Sequence, residues 1–264
     1  MRKIDFTKMV ASGNDFVVVE KKPQLASCNW RVLARRICDR KFGAGADGVL
    51  LLEKSRISDC RMRIFNADGS EAEMCGNGAR CTVLYLGKKE SKLETKAGII
   101  ESSLTGDKAR IKLTNPVNLR LDIPIKVNNR NLKANFIDTG VPHAVIFVEG
   151  LDEIHVSQIG RAIRNHKEFA PRGTNVDFME ALGKDLIAIR TYERGVEDET
   201  LACGTGTVAS AVIFALKSDS GNKINVRTKS GEILKVYFDR VNNKFRDVWL
   251  EGRARIVYKG EYYV

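Results

Sequence analysis

The sequence predicts an α+β fold built from two copies of one module, each a curved antiparallel β-sheet or barrel wrapped around a central helix. Three observations lead there. Two cysteines each precede a Gly-x-Gly and a long apolar run: Cys75-Gly76-Asn77-Gly78-Ala79 and Cys203-Gly204-Thr205-Gly206-Thr207. The run after the second, Val208 to Leu216, is apolar or small on every side, the pattern of a helix buried all round. Landmarks then recur in one order at a near-constant offset. Asn14 to Val141 and Asn66 to Glu193 are 127 residues apart, Asp47 to Asn175 and Cys75 to Cys203 are 128, and Thr95 to Thr228 is 133. Finally, short alternating or apolar runs separated by Gly, Asn and Pro turns fill most of the remaining chain. The repeat divides the chain at roughly 1–115 and 117–252, with Asn115-Pro116 as a hinge.

Taken in order, Lys3-Ile4-Asp5-Phe6-Thr7-Lys8 is an alternating strand, and Ala11 to Phe16 turn it into a second one beginning at Val17. Asn29 caps a helix running through Arg40. Gly43 to Gly48 form a loop into the buried-type strand Val49-Leu50-Leu51-Leu52. Arg61 to Phe65 are a strand that delivers the turn Asn66-Ala67-Asp68-Gly69 just before Cys75. After the first buried helix, Thr95 to Gly98 make a hairpin turn ahead of strands at Ile99–Leu104 and Ala109–Leu113. The second copy repeats this order. A turn at Thr139 to His143 leads to the strand Ala144–Val148, and a helix over about Ile154–Asn165 follows. Gly173-Thr174-Asn175 form a loop before Val176–Met179, and the strand Ile187–Tyr192 ends in the turn Glu193-Arg194-Gly195 before Cys203.

Composition narrows the function class. Apolar content of 43% and charged content of 29% are those of an ordinary globular protein. The net charge of +11 raises nucleic-acid binding, but the charges are dispersed with no aromatic-interleaved basic cluster, so a solvated surface is the expectation and no nucleic-acid partner. No stretch is long and apolar enough to span a membrane and no apolar leader opens the chain, so a cytoplasmic protein is expected. The six cysteines show no CxxC or Cys/His zinc spacing, so no metal is expected and the thiols should be reduced. Cys28, Cys38, Cys60 and Cys81 read as small buried hydrophobes. The loop Gly43 to Gly48 resembles GxGxxG but follows a helix and precedes a strand, which excludes a dinucleotide fingerprint.

The chemistry lies in the two cysteines. A thiol just ahead of a helix sits at its positive end, where unpaired backbone N–H groups bind anions and lower a thiol's pKa. Two modules would set both helix starts against a shared cleft. There Gly76, Asn77, Gly204 and Thr205 offer N–H donors to a carboxylate, which places the substrate's Cα between two thiols. One thiolate removes the α-proton and the other thiol returns one from the opposite face, while the fixed N–H donors stabilise the carbanion with no cofactor. Asn14, Asn66 and Asn175 add neutral hydrogen-bonding groups, and Glu193 and Arg194 add charges suited to an ammonium and a carboxylate. His143 is placed on the turn equivalent to Asn14. For each of these the bland alternative is a turn-forming, solvated or simply satisfied polar residue. Asp47, Asp68 and Glu71 read as loop braces, and His155 and His166 as surface residues.

Over essentially its whole length the chain resembles the diaminopimelate epimerases. The resemblance rests on Gly13-Asn14-Asp15-Phe16, the stretch Phe65 to Glu71, Cys75 to Cys81, Tyr192 to Gly195, and Ala202 to Gly206. It implies cofactor-free conversion of LL- to meso-diaminopimelate by an acid/base pair, Cys75 and Cys203. Gly76, Asn77, Gly204 and Thr205 would hold the α-carboxylate. Asn14, Asn66, Asn175, Glu193 and Arg194 would bind the remaining amino and carboxyl groups, and His143 and Glu193 would tune the thiols. It also implies a homodimer and a final strand, 253–264, that returns to the first, giving modules of 1–115 plus 253–264 and 116–252. Two departures stand out: well-known members carry Asn before the Pro-His pair where this chain has Val141, and some carry Gln where it has Gly48. Val141 removes a polar contact at the far end of the substrate, which keeps open a related cofactor-free racemase of another amino acid. A fold relative acting as an isomerase, a dehydratase or a non-catalytic binder would not need both cysteines.

Overall fold

The computed structural model describes residues 3–218, 220–242 and 244–264. The chain divides into two compact units, one of residues 1–111 and 252–264, the other of 112–251.

In the first unit, strands β1 (Lys3–Ala11), β2 (Asn14–Glu20), β3 (Gly48–Glu53) and β4 (Cys60–Asn66) surround helix α1 (Trp30–Ile37) in sequence, and β5 (Glu71–Ala72) precedes helix α2 (Gly76–Leu86). Then come β6 (Glu90–Thr95), β7 (Gly98–Thr105) and β8 (Lys108–Lys112). The second unit holds β9 (Val117–Val127), β10 (Arg130–Asp138), β11 (Pro142–Phe147), helix α3 (Val156–Arg164), β12 (Asn175–Gly183), β13 (Leu186–Glu193) and β14 (Asp198–Thr200). Helix α4 (Gly204–Lys217), β15 (Lys223–Arg227), β16 (Ile233–Val241) and β17 (Lys244–Arg253) follow, and β18 (Arg255–Tyr263) pairs back onto β1 in the first unit.

The pairings repeat step for step. In the first unit β1 lies antiparallel to β2, β2 parallel to β3, β3 antiparallel to β4, and β4 antiparallel to β5 and parallel to β6. In the second the same sequence runs through β10, β11, β12, β13, β14 and β15. β9 flanks β10 as β18 flanks β1. The sheets are therefore mixed rather than antiparallel throughout. Each carries two parallel pairs, because the connections through α1, α2, α3 and α4 return the chain in the same direction.

Helices cover both faces of each sheet, which explains the continuous apolar runs at residues 49–52 in β3 and 144–147 in β11. In the first unit Val17, Val49, Leu51 and Phe65 pack with Trp30, Leu33, Ala34 and Ile37 of α1. The alternate residues turn toward α2: a Cβ on Gly78 would meet Leu50 Cδ2 at 2.9 Å and Phe16 Cζ at 3.7 Å. In the second unit Ala144, Val176, Phe178 and Tyr192 pack with Val156 and Ile163 of α3. Helix α4 is buried continuously from Gly206 to Ala215, as its all-round apolar sequence requires.

Several boundaries differ from the sequence reading. Helix α1 ends at Ile37 rather than Arg40, since Asp39 turns its side chain back onto the N–H groups of Lys41 and Phe42 and so stops the helix. The β9–β10 hairpin adds two strands to the sequence reading; β9 does alternate apolar and polar residues from Val117 to Val127, but most of both strands is exposed or half-buried. His143 lies inside β11, not on the turn equivalent to Asn14. The register pairs His143 with Asn175 where the first unit pairs Phe16 with Gly48, so His143 answers to Phe16 and Asn175 to Gly48. Among the described residues no helix is long and apolar enough to cross a membrane.

Candidate active site

Cys75 and Cys203 occupy the same station in their units. Each is the N-cap of its unit's second helix, with extended backbone at φ −143°, ψ 120° for Cys75 and φ −116°, ψ 115° for Cys203. Each cysteine carbonyl accepts the first helical hydrogen bond, from Ala79 N and from Thr207 N, both at 2.9 Å. The helix-start N–H groups of Gly76, Asn77 and Gly78, and of Gly204, Thr205 and Gly206, have no carbonyl one turn earlier to donate to. Each unit thus presents a cysteine beside a set of N–H donors at the positive end of a helix.

In the first unit the neighbours of Cys75 are fixed by a charged network. Cys75 Sγ lies 3.8 Å from Asn14 Oδ1, and Asn14 Nδ2 donates to Asp47 Oδ2 at 2.7 Å. That second bond turns the amide so that its oxygen faces the thiol. Asp47 is held by Arg40 at 2.7 Å, and Arg40 also pairs with Asp15 at 2.9 Å, which pairs with Lys8 at 2.7 Å. Burial pushes the Asp15 carboxyl up, and hydrogen bonds from Arg40 and Lys8 more than reverse this, leaving it at about 2. Arg80, fully buried, donates to Ser12 Oγ at 2.8 Å, Asn77 Oδ1 at 2.6 Å and the Arg253 carbonyl at 3.2 Å. It ties the start of α2 to the turn before Asn14, where Ser12 adopts φ 51°, a conformation disfavoured for a residue with a Cβ. Asn66 is exposed and donates to Ser70 Oγ at 2.9 Å, apart from the Cys75–Asn14–Asp47 chain.

The second unit is chemically different. Cys203 Sγ lies 3.4 Å from Thr205 Oγ1, which lies 2.9 Å from His143 Nε2. His143 Nδ1 lies 2.7 Å from Asp177 Oδ2, and Thr191 Oγ1 donates to Asp177 Oδ1 at 2.7 Å. His143, Asp177 and Thr191 are all buried. Asn175 Nδ2 approaches His143 Nε2 at 3.3 Å, and its Oδ1 accepts the Arg194 backbone N–H at 2.7 Å. Thr139 Oγ1 donates to the Thr205 carbonyl at 3.1 Å, bracing the helix start. Burial raises the Cys203 thiol well above its ordinary value, and the charges of Glu193 and Asp177 add to this. Burial likewise raises the Glu193 carboxyl. The Arg194 guanidinium donates to the Arg172 carbonyl at 3.1 Å.

The structure thus joins Asn14 to Cys75, and joins Thr205, His143 and Asn175 to Cys203. The sequence alone does not single out Asp177 and Thr191, nor the links made by Arg80, Ser12 and Thr139. The signal for Asp177 was present: a carboxylate inside Asn175-Val176-Asp177-Phe178-Met179, a strand buried on both faces, requires buried partners. Burial pushes the thiols of Cys38 and Cys60 up to about 12 and about 11, as suits inert packing residues, while Cys28 is only half-buried. Glu71 braces its loop as anticipated, bound by Arg63 at 2.7 Å and Lys96 at 2.9 Å. Among the described residues no group of three or more His, Cys, Asp or Glu is arranged to hold a metal ion.

Solved structures share this fold. The chain is similar to a Bacillus anthracis phenazine biosynthesis protein of the PhzF family, with a TM-score of 0.75 at 17% identity, covering 100% of both chains. It is also similar to a hydroxyproline epimerase from Agrobacterium vitis, with a TM-score of 0.70 at 16% identity, covering 98% of this chain and 92% of that one. The fold is therefore the one those two proteins share. Within it, the profile of the family described as diaminopimelate epimerase matches residues 6–119 and 135–257. A diaminopimelate epimerase of Chlorobaculum tepidum is 41% identical, covering 96% of this chain and 98% of that one, and one of Aquifex aeolicus is 38% identical, covering 97% of each. The chain belongs to the diaminopimelate epimerase family.

Proposed function

We propose that this protein interconverts LL- and meso-2,6-diaminopimelate without a pyridoxal cofactor, with Cys75 and Cys203 as the acid/base pair. The observation that carries the reading is the recurrence of an extended cysteine at the start of a buried, Gly-rich helix, at the same station of two repeated units, in a chain of this family. One thiolate takes the α-proton, and the opposite thiol delivers a proton to the other face of the planar carbanion, inverting the centre. The N–H groups of Gly76, Asn77, Gly204 and Thr205 hold the α-carboxylate, where negative charge grows as the carbanion forms; one such preorganised donor is worth about 10²–10³ in rate. Asn14, Asn66, Asn175, Glu193 and Arg194 bind the remaining amino and carboxyl groups of the substrate.

His143 and Glu193 set the ionisation of Cys203: Glu193 opposes its thiolate by charge, and His143 reaches it through Thr205. The protein is read as a cytoplasmic homodimer, with its activity feeding lysine and cell-wall precursor synthesis. The test is α-deuterium uptake from D₂O into LL-diaminopimelate by purified protein lacking pyridoxal phosphate. Uptake accompanied by appearance of the meso isomer supports the reading, and its absence overturns it. A second reading, racemisation of another amino acid, draws on Val141, which puts an apolar side chain where other members carry Asn. Uptake into another L-amino acid from a panel, and not into diaminopimelate, would favour it.

A further inference from the structure

The two thiols sit in equivalent places but not in equivalent chemistry, and the internal repeat shows where the difference was built in. A Cβ on Gly78 would meet Leu50 and Phe16; a Cβ on Gly206 would meet Asp177 Oδ1 at 2.3 Å and His143 Cε1 at 3.2 Å. The register aligns Phe16 with His143, Leu50 with Asp177 and Ile64 with Thr191. Beneath one helix start the inward face of the sheet is Phe, Leu and Ile; beneath the other it is His, Asp and Thr, all buried. A buried carboxylate and imidazole in place of two hydrocarbons is costly unless the polar groups are mutually satisfied.

Hydrogen-bond directions follow from the partners. Asp177 Oδ1 accepts from Thr191, and its Oδ2 accepts from His143 Nδ1–H. Asn175 Oδ1 accepts from Arg194 N, so its amide N–H₂ faces Nε2. His143 Nε2 is then an acceptor, and Thr205 donates its hydroxyl hydrogen to it. Thr205 Oγ1 has its own lone pairs left for the S–H of Cys203. The result is a continuous path, Cys203 to Thr205 to His143 to Asp177. Asn14, beside Cys75, is a carboxamide that accepts a hydrogen bond but does not take up a proton.

We propose that Asp177 is a positioning residue that, through His143 and Thr205, gives Cys203 an internal route of deprotonation, built where the first unit has the hydrocarbons Phe16 and Leu50. The proton moves from Sγ to Thr205 Oγ1 as the hydroxyl proton moves from Thr205 to His143 Nε2. The products are a Cys203 thiolate and an imidazolium, with charge and proton number conserved. Asp177 stabilises the imidazolium by a buried charge-assisted hydrogen bond at 2.7 Å, which outweighs the single long contact from Asn175 at 3.3 Å. Around Cys203 the ionisable groups are Glu193 from β13, Asp177 from β12 and His143 from β11. The two carboxylates oppose a lone thiolate, so the thiolate forms as a pair with imidazolium.

The proposal deepens the two-thiol reading and rests on it for its catalytic meaning, but its test needs no substrate. The rate of alkylation by iodoacetamide is followed from pH 6 to 10 at Cys203 and Cys75 separately, by peptide mass spectrometry on the full chain. Because the thiolate–imidazolium pair forms without exchanging a proton with solvent, Cys203 reactivity is expected to hold level through neutral pH before rising. In Asp177→Asn and in Thr205→Val that level region should vanish. The rate should then climb about tenfold per pH unit from a neutral-pH value at least about tenfold lower. Thr205→Ser should restore it, and the Cys75 profile should stay unchanged in all three. A wild-type Cys203 profile with no level region overturns the proposal, as does an equal change at both cysteines, which would make Asp177 only a brace. Deuterium uptake by the wild-type protein separately decides the epimerase reading.

Discussion

Gly206→Ala probes the packing that brings helix α4 onto the buried carboxylate. The added methyl would sit 2.3 Å from Asp177 Oδ1, an atom held in place by Thr191 at 2.7 Å, while the other carboxylate oxygen is held by His143 at 2.7 Å. Relief requires α4 to lift or the carboxylate to turn and break the Thr191 bond. Overpacking costs about 1–3 kcal/mol and a lost hydrogen bond to a charged group about 1.5–3, offset by about 1 for the helix preference of Ala over Gly. A net loss of about 3 kcal/mol corresponds to roughly 6–12 °C in melting temperature for a chain of this size. The control is Gly78→Ala at the same station of the first unit, where the methyl meets Leu50 Cδ2 at 2.9 Å. The end of a leucine side chain moves easily, so a net cost below about 1 kcal/mol is expected. Thermal melts of both variants decide it. A Gly206→Ala melting temperature within about 2 °C of wild type, or a Gly78→Ala loss as large, refutes the reasoning.

Three further outcomes are expected. Asn29 caps α1 by accepting the Val32 N–H at 3.3 Å, so Asn29→Ala should cost about 1 kcal/mol in urea denaturation. The Arg63 hydrogen bond holds the Glu71 carboxyl at about 2, below its ordinary 4.5. A depressed folded-state pKa contributes stability above the unfolded value and loses it as pH falls through the folded one, so Glu71→Gln should flatten the decline in stability between about pH 4.5 and 2. Burial and then the charge of Glu193 raise the Cys203 pKa, so Glu193→Gln should shift the rising limb of Cys203 alkylation to lower pH, read by peptide mass spectrometry.

Much of the architecture is visible in residue order because the repeat is internal and the two buried helices differ sharply from everything around them. Strands β3 and β11 stand out as apolar runs since helices cover both their faces. The β9–β10 hairpin stands out less: β9 alternates from Val117 to Val127, but the strands are largely exposed and have no counterpart among the landmarks of the repeat. The cysteines and their Gly-x-Gly contexts are equally visible, since close backbone approach leaves a glycine signature. What the sequence conceals is register. Anchoring the repeat on Asn14 and Asp47 set Asn175 against Asp47, one residue off. The offset of 127 from Asn14 to Val141 and from Asn66 to Glu193 is that of the paired strands, so the shift at Asp47 conceals chiefly the substitution of Leu50 by Asp177. A one-residue slip exchanges the faces of a strand, so the inward-facing polar set emerges only from the paired strands.

The central claim is that two thiols divide the work of inversion, and single-cysteine variants test it most directly. With LL-diaminopimelate in D₂O, formation of the meso isomer is followed for wild type, Cys75→Ala and Cys203→Ala. The account predicts that both variants lose inversion, by at least about 10³-fold, while keeping wild-type circular dichroism and melting behaviour. Turnover near the wild-type rate in either variant would contradict it.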